Sequence, residues 1–181
     1  MALIPRIVAH LRQGGVIAYA TESCFGLGCD PHNFRAVKRL LAIKIRPQKK
    51  GLILVASDLK LLTPYLATLS PAELSKLDQL WPGPTTLLAP AHPSTPHWLT
   101  GRHQTIAVRV TAHNDTARLS HALKMALVST SANRSGKKPC RRFQQCLHAF
   151  GNKVMVIPGR IGKRKRPSTI MDLKSGKIYR S

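Results

Sequence analysis

Two basic residues separated by one position are suited to binding an anion. Lys44 and Arg46 lie at the predicted end of a helix, and Pro47 follows them directly. Because a proline disfavours helical geometry in the residue before it, the chain should reverse direction at Arg46. Arginine can then fork onto a phosphate or carboxylate while lysine acts as a point charge. The alternative is that both side chains only stabilise the negative end of the helix dipole.

A run of small polar residues follows an apolar strand in the stretch ALVSTSANRSG. Ser129, Thr130, Ser131 and Asn133 stand at the predicted carboxyl end of this strand, where α/β sheets place their ligands. Their hydroxyl and amide groups are neutral donors and acceptors for a ribose, a phosphate oxygen or a base edge. The alternative is that Ser131 or Asn133 satisfies backbone groups nearby.

A single arginine interrupts the apolar strand TIAVRV. Arg109 should lie on the opposite face from Val108 and Val110 if the strand is regular. Burying its charge requires a carboxylate or a bound ligand. A ligand anion and a position on a solvent-facing side of the sheet are equally compatible with this pattern, since the chain has only 7 acidic residues.

The charge balance favours a polyanionic partner. Lysine and arginine total 29, and the formal net charge is +22 at pH 7. A surface of this kind attracts nucleic acid or phosphorylated ligands. The basic residues recur along the chain rather than forming one tail, which suggests that folding collects them into one field.

Neither the acids nor the cysteines predict a metal site. No two acidic residues are close enough in sequence to suggest a paired-carboxylate site or an acidic metal cage. The spacings Cys24-x4-Cys29 and Cys140-x5-Cys146 do not match a zinc knuckle, so we expect free thiols in a reducing cytosol. No apolar run reaches transmembrane length, and we expect a soluble, cytoplasmic protein with no membrane partner.

Helical and strand patterns alternate, which predicts an α/β fold with a mixed sheet in one domain, residues 1–181. The predicted helices cover residues 3–11, 34–44, a segment starting at the Ser70 capping box, and 115–125. The predicted strands cover residues 16–20, 52–55, 85–89, 105–110, 127–130, 154–157 and 169–173. Ser175-Gly176 is predicted to be the turn of a terminal hairpin, and residues 159–167 a mobile basic loop.

Common nucleotide and hydrolase motifs are absent. The chain has no P-loop, and Gly26-Leu27-Gly28 lacks the third glycine of a dinucleotide fingerprint. No Ser-His-Asp arrangement is visible, and His113 and His121 are expected at the surface rather than as catalytic bases.

Six stretches taken in order carry a resemblance to a known family. They are YATESCFGLGCDP (19–31), KIRPQKKGLIL (44–54), WPGPTT (81–86), TIAVRV (105–110), STSANRSG (129–136) and PSTIMD (167–172). Together they resemble the YrdC-like L-threonylcarbamoyladenylate synthases, in the short form without an extra C-terminal domain. The resemblance runs from about Gly14 to the C-terminus, and the combination of K-x-R with S-x-N is its most specific part.

The resemblance implies a twisted mixed sheet, flanked by helices, around a concave basic cavity. It implies that ATP, bicarbonate and L-threonine react to give threonylcarbamoyl-AMP and pyrophosphate, with Mg2+ carried mainly by the triphosphate. The product would serve threonylcarbamoyladenosine formation in tRNA, which a separate transferase complex completes. Such a site needs many cations and few carboxylates, because most of its ligands are negative.

The resemblance also assigns roles to residues. Lys44 and Arg46 should face the bicarbonate-derived group and the α-phosphate. The ATP side should further include Lys50, Thr105, Ser131, Asn133 and Arg180. The threonine side should include Thr21, Arg109, Ser129 and Ser168.

Three positions depart from the family pattern, and two other functions stay open. Ala20 replaces a usual proline, and Lys50 and Val55 stand where longer members often have asparagine and histidine; Lys50 could substitute as a phosphate contact. The first alternative is a non-catalytic protein of the same fold that binds tRNA or double-stranded RNA. The second is a kinase-like or carbamoyl-transfer enzyme acting on another small acceptor.

Overall fold

A computed structural model describes residues 3–181 and shows one mixed sheet of nine strands. The strands are β1 Ile17–Ala20, β2 Phe25–Cys29, β3 Ile53–Ala56, β4 Thr85–Pro90, β5 Thr105–Val110, β6 Leu127–Ser131, β7 Met155–Val156, β8 Thr169–Asp172 and β9 Ile178–Arg180. The helices are α1 Leu3–Arg12, α2 Phe34–Lys44, α3 Pro71–Leu80, α4 His97–Thr100, α5 Asn114–Leu123 and α6 Phe143–Phe150. The α/β class and the mixed sheet are confirmed.

The sheet has the strand order β7-β1-β2-β6-β3-β5-β4-β8-β9. Three neighbouring pairs are parallel, β1 with β7, β3 with β5, and β4 with β8, and the other pairs are antiparallel. The predicted terminal hairpin is present as β8 and β9. Three elements, β2, α4 and α6, were not predicted from the sequence; the two glycines of β2 weaken its strand signal.

One face of the sheet is apolar and carries the main core. Cys29, Val128, Leu54, Val108 and Leu87 follow one another across five strands in register and are fully buried. Buried residues of α2 pack in the same cluster. The helix begins as predicted, because the Asn33 side chain accepts a hydrogen bond from the amide of Ala36 at 3.0 Å.

The opposite face is covered only in part by helices. Ile17, Tyr19 and Leu127 form a second cluster there with buried residues of α1 and α5, Ile7, Leu11 and Leu119. Further along the same face, the strands present polar side chains instead of apolar ones. The site described below lies on this polar part of the sheet.

The end of α2 has a different cause from the one predicted. The chain does reverse after Lys44, but the turn is made by Ile45 in left-handed geometry (φ 53°), two residues before Pro47. The amides of Ile45 and Arg46 donate back to the carbonyls of Ala42 and Leu41, at 3.1 and 3.0 Å, as in a glycine-ended helix. A β-branched residue is strained in this conformation, and Ile45 is 65% exposed.

Replacing Ile45 with glycine is expected to raise the free energy of unfolding by about 1 kcal/mol, because glycine adopts positive φ without a Cβ clash. Urea denaturation monitored by circular dichroism measures this change. The matched control is Lys124→Gly at the end of α5, where a residue without β-branching has φ 52°; its gain should be smaller. A lower stability of the Ile45 variant would contradict the strain at this turn.

Candidate active site

The Lys44 side chain is enclosed by oxygen atoms at the end of β6. Its Nζ lies 2.6 Å from the Ser131 carbonyl oxygen, 3.0 Å from the Asn133 carbonyl oxygen, 2.8 Å from Asn133 Oδ1 and 3.2 Å from Ser131 Oγ. Only 4% of Lys44 is exposed. Burial, followed by the positive charge of Arg46, lowers the pKa of Lys44 to about 8. The K-x-R and S-x-N stretches therefore form one polar cluster.

The S-x-N stretch is itself held in a fixed conformation. Ser131 Oγ donates to Asn133 Oδ1 at 2.6 Å, and the amide of Ser135 donates to the Lys44 carbonyl oxygen at 2.9 Å. These bonds join the loop after β6 to the end of α2, so that the two predicted motifs position each other. The local interpretation of these residues therefore has a structural counterpart in the bonds within this loop.

Arg46 follows two residues after Lys44, and part of its guanidinium contacts the backbone at Gly51. Its Nη2 donates to the Gly51 carbonyl oxygen at 2.9 Å, whereas its Nε is buried and has no hydrogen-bond partner. Burial lowers the pKa of Arg46, although an arginine remains charged at any physiological pH. A buried donor without an acceptor is costly, so this group is suited to an incoming anion.

Arg109 has a carboxylate partner in this structure. Its Nη2 lies 3.2 Å from Glu22 Oε2, and the two side chains are 9% and 12% exposed. Glu22 Oε1 accepts a hydrogen bond of 2.6 Å from Thr111 Oγ1. Within residues 3–181 this is the only ion pair shorter than 4.0 Å. The solvent-facing position left open for Arg109 is therefore wrong, and its buried charge has a carboxylate partner.

A third arginine is anchored at the C-terminal hairpin. Arg180 donates to the Ser168 carbonyl oxygen through Nε at 3.0 Å and Nη2 at 2.8 Å, and Ser168 Oγ accepts from Thr86 at 2.9 Å. Partial burial of the guanidinium, followed by the charge of Arg109, lowers the pKa of Arg180, with a further contribution from Arg46. The cations from the K-x-R turn, β5 and β9 therefore share one electrostatic environment.

Strand register explains why these residues share one face. Ile53 pairs with both Ser129 and Ala107, so Ser129 and Ser131 lie on the same side of the sheet as Thr105 and Arg109. The register continues outward from β5 and places two more residues on this side, Thr86 and Arg180. Five predicted site residues are thereby brought to the polar face: Ser129, Ser131, Thr105, Arg109 and Arg180.

Thr21 and Ser129 lie on either side of a glycine on this face. A Cβ atom at Gly26 would come within 3.2 Å of Thr21 Cγ2 and 3.5 Å of Ser129 Oγ. Ser129 accepts a hydrogen bond from the Tyr19 hydroxyl at 2.8 Å, and Thr21 donates to the Cys24 carbonyl oxygen at 2.7 Å. The glycine therefore keeps open the space between two predicted site residues.

The basic loop, residues 159–167, lies over the first motif. The amides of Gly162 and Arg164 donate to the carbonyl oxygens of Thr21 and Glu22, at 2.9 and 3.2 Å. The Arg160 carbonyl oxygen lies 3.0 Å from His113 Nε2. His113 is thus half-buried and caps α5, in contrast to the surface position predicted for it, whereas His121 is exposed as expected.

Some predicted residues lie outside the polar cluster around Lys44, and some residues of the site were not predicted from the sequence. The Lys50 side chain is exposed, and Thr105 shares the polar face at the first position of β5. Glu22 and Thr111 were not predicted. Glu22 could have been found as an acidic residue inside a quoted motif of a chain with few acids.

No metal or membrane element is found in the described part of the chain. Residues 3–181 contain no cluster of three or more His, Cys, Asp or Glu side chains that could hold a metal ion. All four cysteines are free thiols. No helix in this range is both long and apolar enough to cross a membrane.

Comparison with known proteins gives consistent matches over nearly the whole chain. A model of the Sua5–YciO–YrdC family, described as "Telomere recombination", matches residues 9–181. A threonylcarbamoyl-AMP synthase of Chromobacterium violaceum is 54% identical over 171 residues, which cover 94% of this chain and 89% of that protein. One of Thiobacillus denitrificans is 50% identical over 177 residues, covering 98% and 94%.

Solved structures share the fold. P. abyssi Sua5 in complex with L-threonine superposes with a TM-score of 0.88 at 28% identity; the match covers 97% of this chain and 52% of that one, so this chain spans about half the length of that protein. E. coli YciO superposes with a TM-score of 0.87 at 26% identity and covers 99% of this chain and 88% of its own.

Proposed function

This chain belongs to the Sua5–YciO–YrdC family, and from that membership we propose that it is a threonylcarbamoyl-AMP synthase. It is a nucleotidyltransferase that acts in tRNA modification, and the whole chain, residues 1–181, works as one domain. The observation that carries the site assignment is the contact of the Lys44 ammonium with Ser131 and Asn133 at 2.6–3.2 Å. It joins the two most specific motifs into one site.

The reaction requires two bond-forming steps. The threonine amine combines with bicarbonate, a C–N bond forms, water leaves, and a carbamate results. A carbamate oxygen then attacks the α-phosphorus of ATP, and pyrophosphate departs. Negative charge is present on every reactant, so the main contribution of the protein is to position them and to stabilise that charge.

In this scheme the cationic residues bind the negatively charged groups of the substrates. Lys44 and Arg46 face the carbamate and the α-phosphate, and the unpartnered Nε of Arg46 gives one donor for them. Ser131 and Asn133 contact the nucleotide, with Thr105, Arg180 and the exposed Lys50 as further contacts on the ATP side. Arg109 takes the threonine carboxylate, and Thr21, Ser129 and Ser168 line the threonine side.

Mg2+ enters with the triphosphate. The charged side chains around Lys44 are mostly cations, and hard divalent cations prefer oxygen ligands with negative charge. The phosphate oxygens of the substrate would therefore hold the ion, which would supply positive charge to the departing pyrophosphate.

The charge of +22 also fits binding of tRNA or double-stranded RNA. RNA binding can accompany catalysis, and the product passes to a downstream threonylcarbamoyl transferase complex in the cytoplasm. A protein that binds tRNA in a salt-dependent way without using ATP would be the non-catalytic alternative.

The decisive experiment incubates the full chain with ATP, Mg2+, bicarbonate and L-threonine. We expect pyrophosphate release and threonylcarbamoyl-AMP, identified by mass spectrometry, and both should require threonine and bicarbonate. Serine and carbamoyl phosphate serve as competing substrates and separate this reaction from transfer to another acceptor. No product in the complete mixture, together with tight tRNA binding, would overturn the synthase assignment.

Affinity for an ATP analogue is expected to fall as the pH rises above about 8. The lowered pKa of Lys44 means that the free protein loses this positive charge near that pH, whereas bound phosphate favours the charged form. The affinity should therefore fall by up to about tenfold per pH unit above the pKa. Calorimetric titration with α,β-methylene-ATP from pH 7.5 to 9.5 measures it. Lys44→Met should bind more weakly and without this slope; an equal slope in both proteins would exclude Lys44 as its origin.

A further inference from the structure

Glu22 is the one carboxylate that the structure places among the cations of the site, and the assignment above gives it no role. Its carboxylate is fixed from two sides, by Thr111 Oγ1 at 2.6 Å and by Arg109 Nη2 at 3.2 Å. Its backbone carbonyl oxygen also accepts a hydrogen bond from Arg164 in the basic loop, at 3.2 Å. Glu22 is therefore held in place by β5, by the residue after β5, and by the loop.

The contact between Arg109 and Glu22 leaves hydrogen-bonding capacity on both partners. Glu22 Oε2 and Arg109 Nε are buried, and neither has a hydrogen-bond partner of good geometry. Oε2 is an acceptor on the negatively charged Glu22, and Nε is a donor on the positively charged Arg109. Because buried polar groups without partners are costly, the pair is suited to a ligand that brings both a carboxylate and an ammonium.

A zwitterion fits this pair in charge as well. An ammonium group entering among Lys44, Arg46, Arg109 and Arg180 meets repulsion unless a carboxylate faces it. When a zwitterion inserts between Arg109 and Glu22, one ion pair becomes two and the net charge of the site stays the same. An α-amino acid therefore enters at a lower electrostatic cost than a simple amine.

We propose that Glu22 binds the α-ammonium group of L-threonine, while Arg109 binds its carboxylate. This inference rests on the proposed function. Glu22 then selects an α-amino acid over the corresponding hydroxy acid, and Thr111 is a positioning residue that orients the Glu22 carboxylate.

The test compares two ligands that differ only in this ammonium group. L-Threonine and 2,3-dihydroxybutanoate of matching stereochemistry are titrated calorimetrically into the full chain and into Glu22→Gln. Wild type should bind threonine about 10- to 100-fold more tightly than the hydroxy acid, as expected for a charge-assisted hydrogen bond. In Glu22→Gln, threonine affinity should fall by that factor and hydroxy-acid affinity should change less than about threefold.

A purely structural role of Glu22 predicts a different result. If Glu22 only orients Arg109, both ligands weaken by the same factor in Glu22→Gln, and their ratio is unchanged; this would overturn the inference. Glu22→Asp keeps the negative charge and should retain part of the preference for threonine. Should Glu22→Gln fail to fold, equal affinity of wild type for the two ligands would still overturn it.

The outcome is separable from that of the synthase assignment. If wild type forms threonylcarbamoyl-AMP, but the ratio of threonine to hydroxy-acid affinity is the same in wild type and Glu22→Gln, only the role of Glu22 is overturned. Threonine binding that depends on Glu22, without product in the complete reaction mixture, would support the ammonium site and overturn the synthase assignment. A wild-type chain that does not bind threonine at all would overturn both.

Discussion

Replacing Lys44 with methionine is expected to lower turnover by about 1,000-fold, because it removes a fixed positive charge beside the reacting groups. Methionine has a similar length and shape, so the apolar part of the buried stem is retained. The oxygen atoms of Ser131 and Asn133 lose their donor, but their loop stays fixed by the bond from Ser135 to the Lys44 backbone. Steady-state pyrophosphate release measures turnover, and circular dichroism measures the fold.

The matched control for this variant is Lys38→Met, at an exposed position of the same helix. It removes one positive charge at nearly the same place in the chain, without a contact to the polar cluster. Its turnover should stay within about twofold of wild type, since exposed charges are screened by salt. Normal turnover in Lys44→Met, or equal losses in the two variants, would contradict the assignment of Lys44 to the reaction.

Replacing Arg109 with glutamine is expected to weaken both the fold and threonine binding. The change leaves Glu22 buried without its counter-charge, which should lower the free energy of unfolding by about 3 kcal/mol. It also removes the proposed partner of the threonine carboxylate, so the KM for threonine should rise by about 100-fold. Urea denaturation and initial rates at varied threonine concentration measure the two effects.

A double variant separates these two effects. Glu22→Gln combined with Arg109→Gln contains no unpaired buried charge, so it should recover about 2 kcal/mol of the lost stability. Its KM for threonine should stay high, because neither charged partner of the amino acid is present. A KM within about threefold of wild type in Arg109→Gln would remove Arg109 from the threonine site.

Patterns local to one segment were predicted well from the sequence. The Asn33 and Ser70 caps, the alternation in TIAVRV and the terminal turn each depend on a few neighbouring residues, and the structure confirms all of them. The end of α2 shows the limit of this approach. The helix ends at Lys44 as predicted, but the turn is made by Ile45 at positive φ, which nothing in its residue type suggests, and not by Pro47.

Contacts between distant segments could not be derived from local patterns. Lys44 reaches Ser131 and Asn133 across 87 and 89 positions, and Glu22 meets Thr111 across 89. The sequence showed that Arg109 needed a partner, but a choice among 7 acids requires strand order and register. Family resemblance grouped the motifs, whereas the position of Glu22 emerged only from the folded chain.

The shared face of the polar residues makes the site depend on the parity of residue positions in each strand. Adding one residue within β5 before Arg109 would turn the arginine into the apolar core and bring Val108 or its neighbour to the polar side. The same addition in a surface loop would leave every strand in phase. Insertions and deletions should therefore be tolerated only in the connections between strands. In the strands that run from β6 to β9 in the sheet order, residues can be substituted, but a single inserted or deleted residue would move site residues off the polar face.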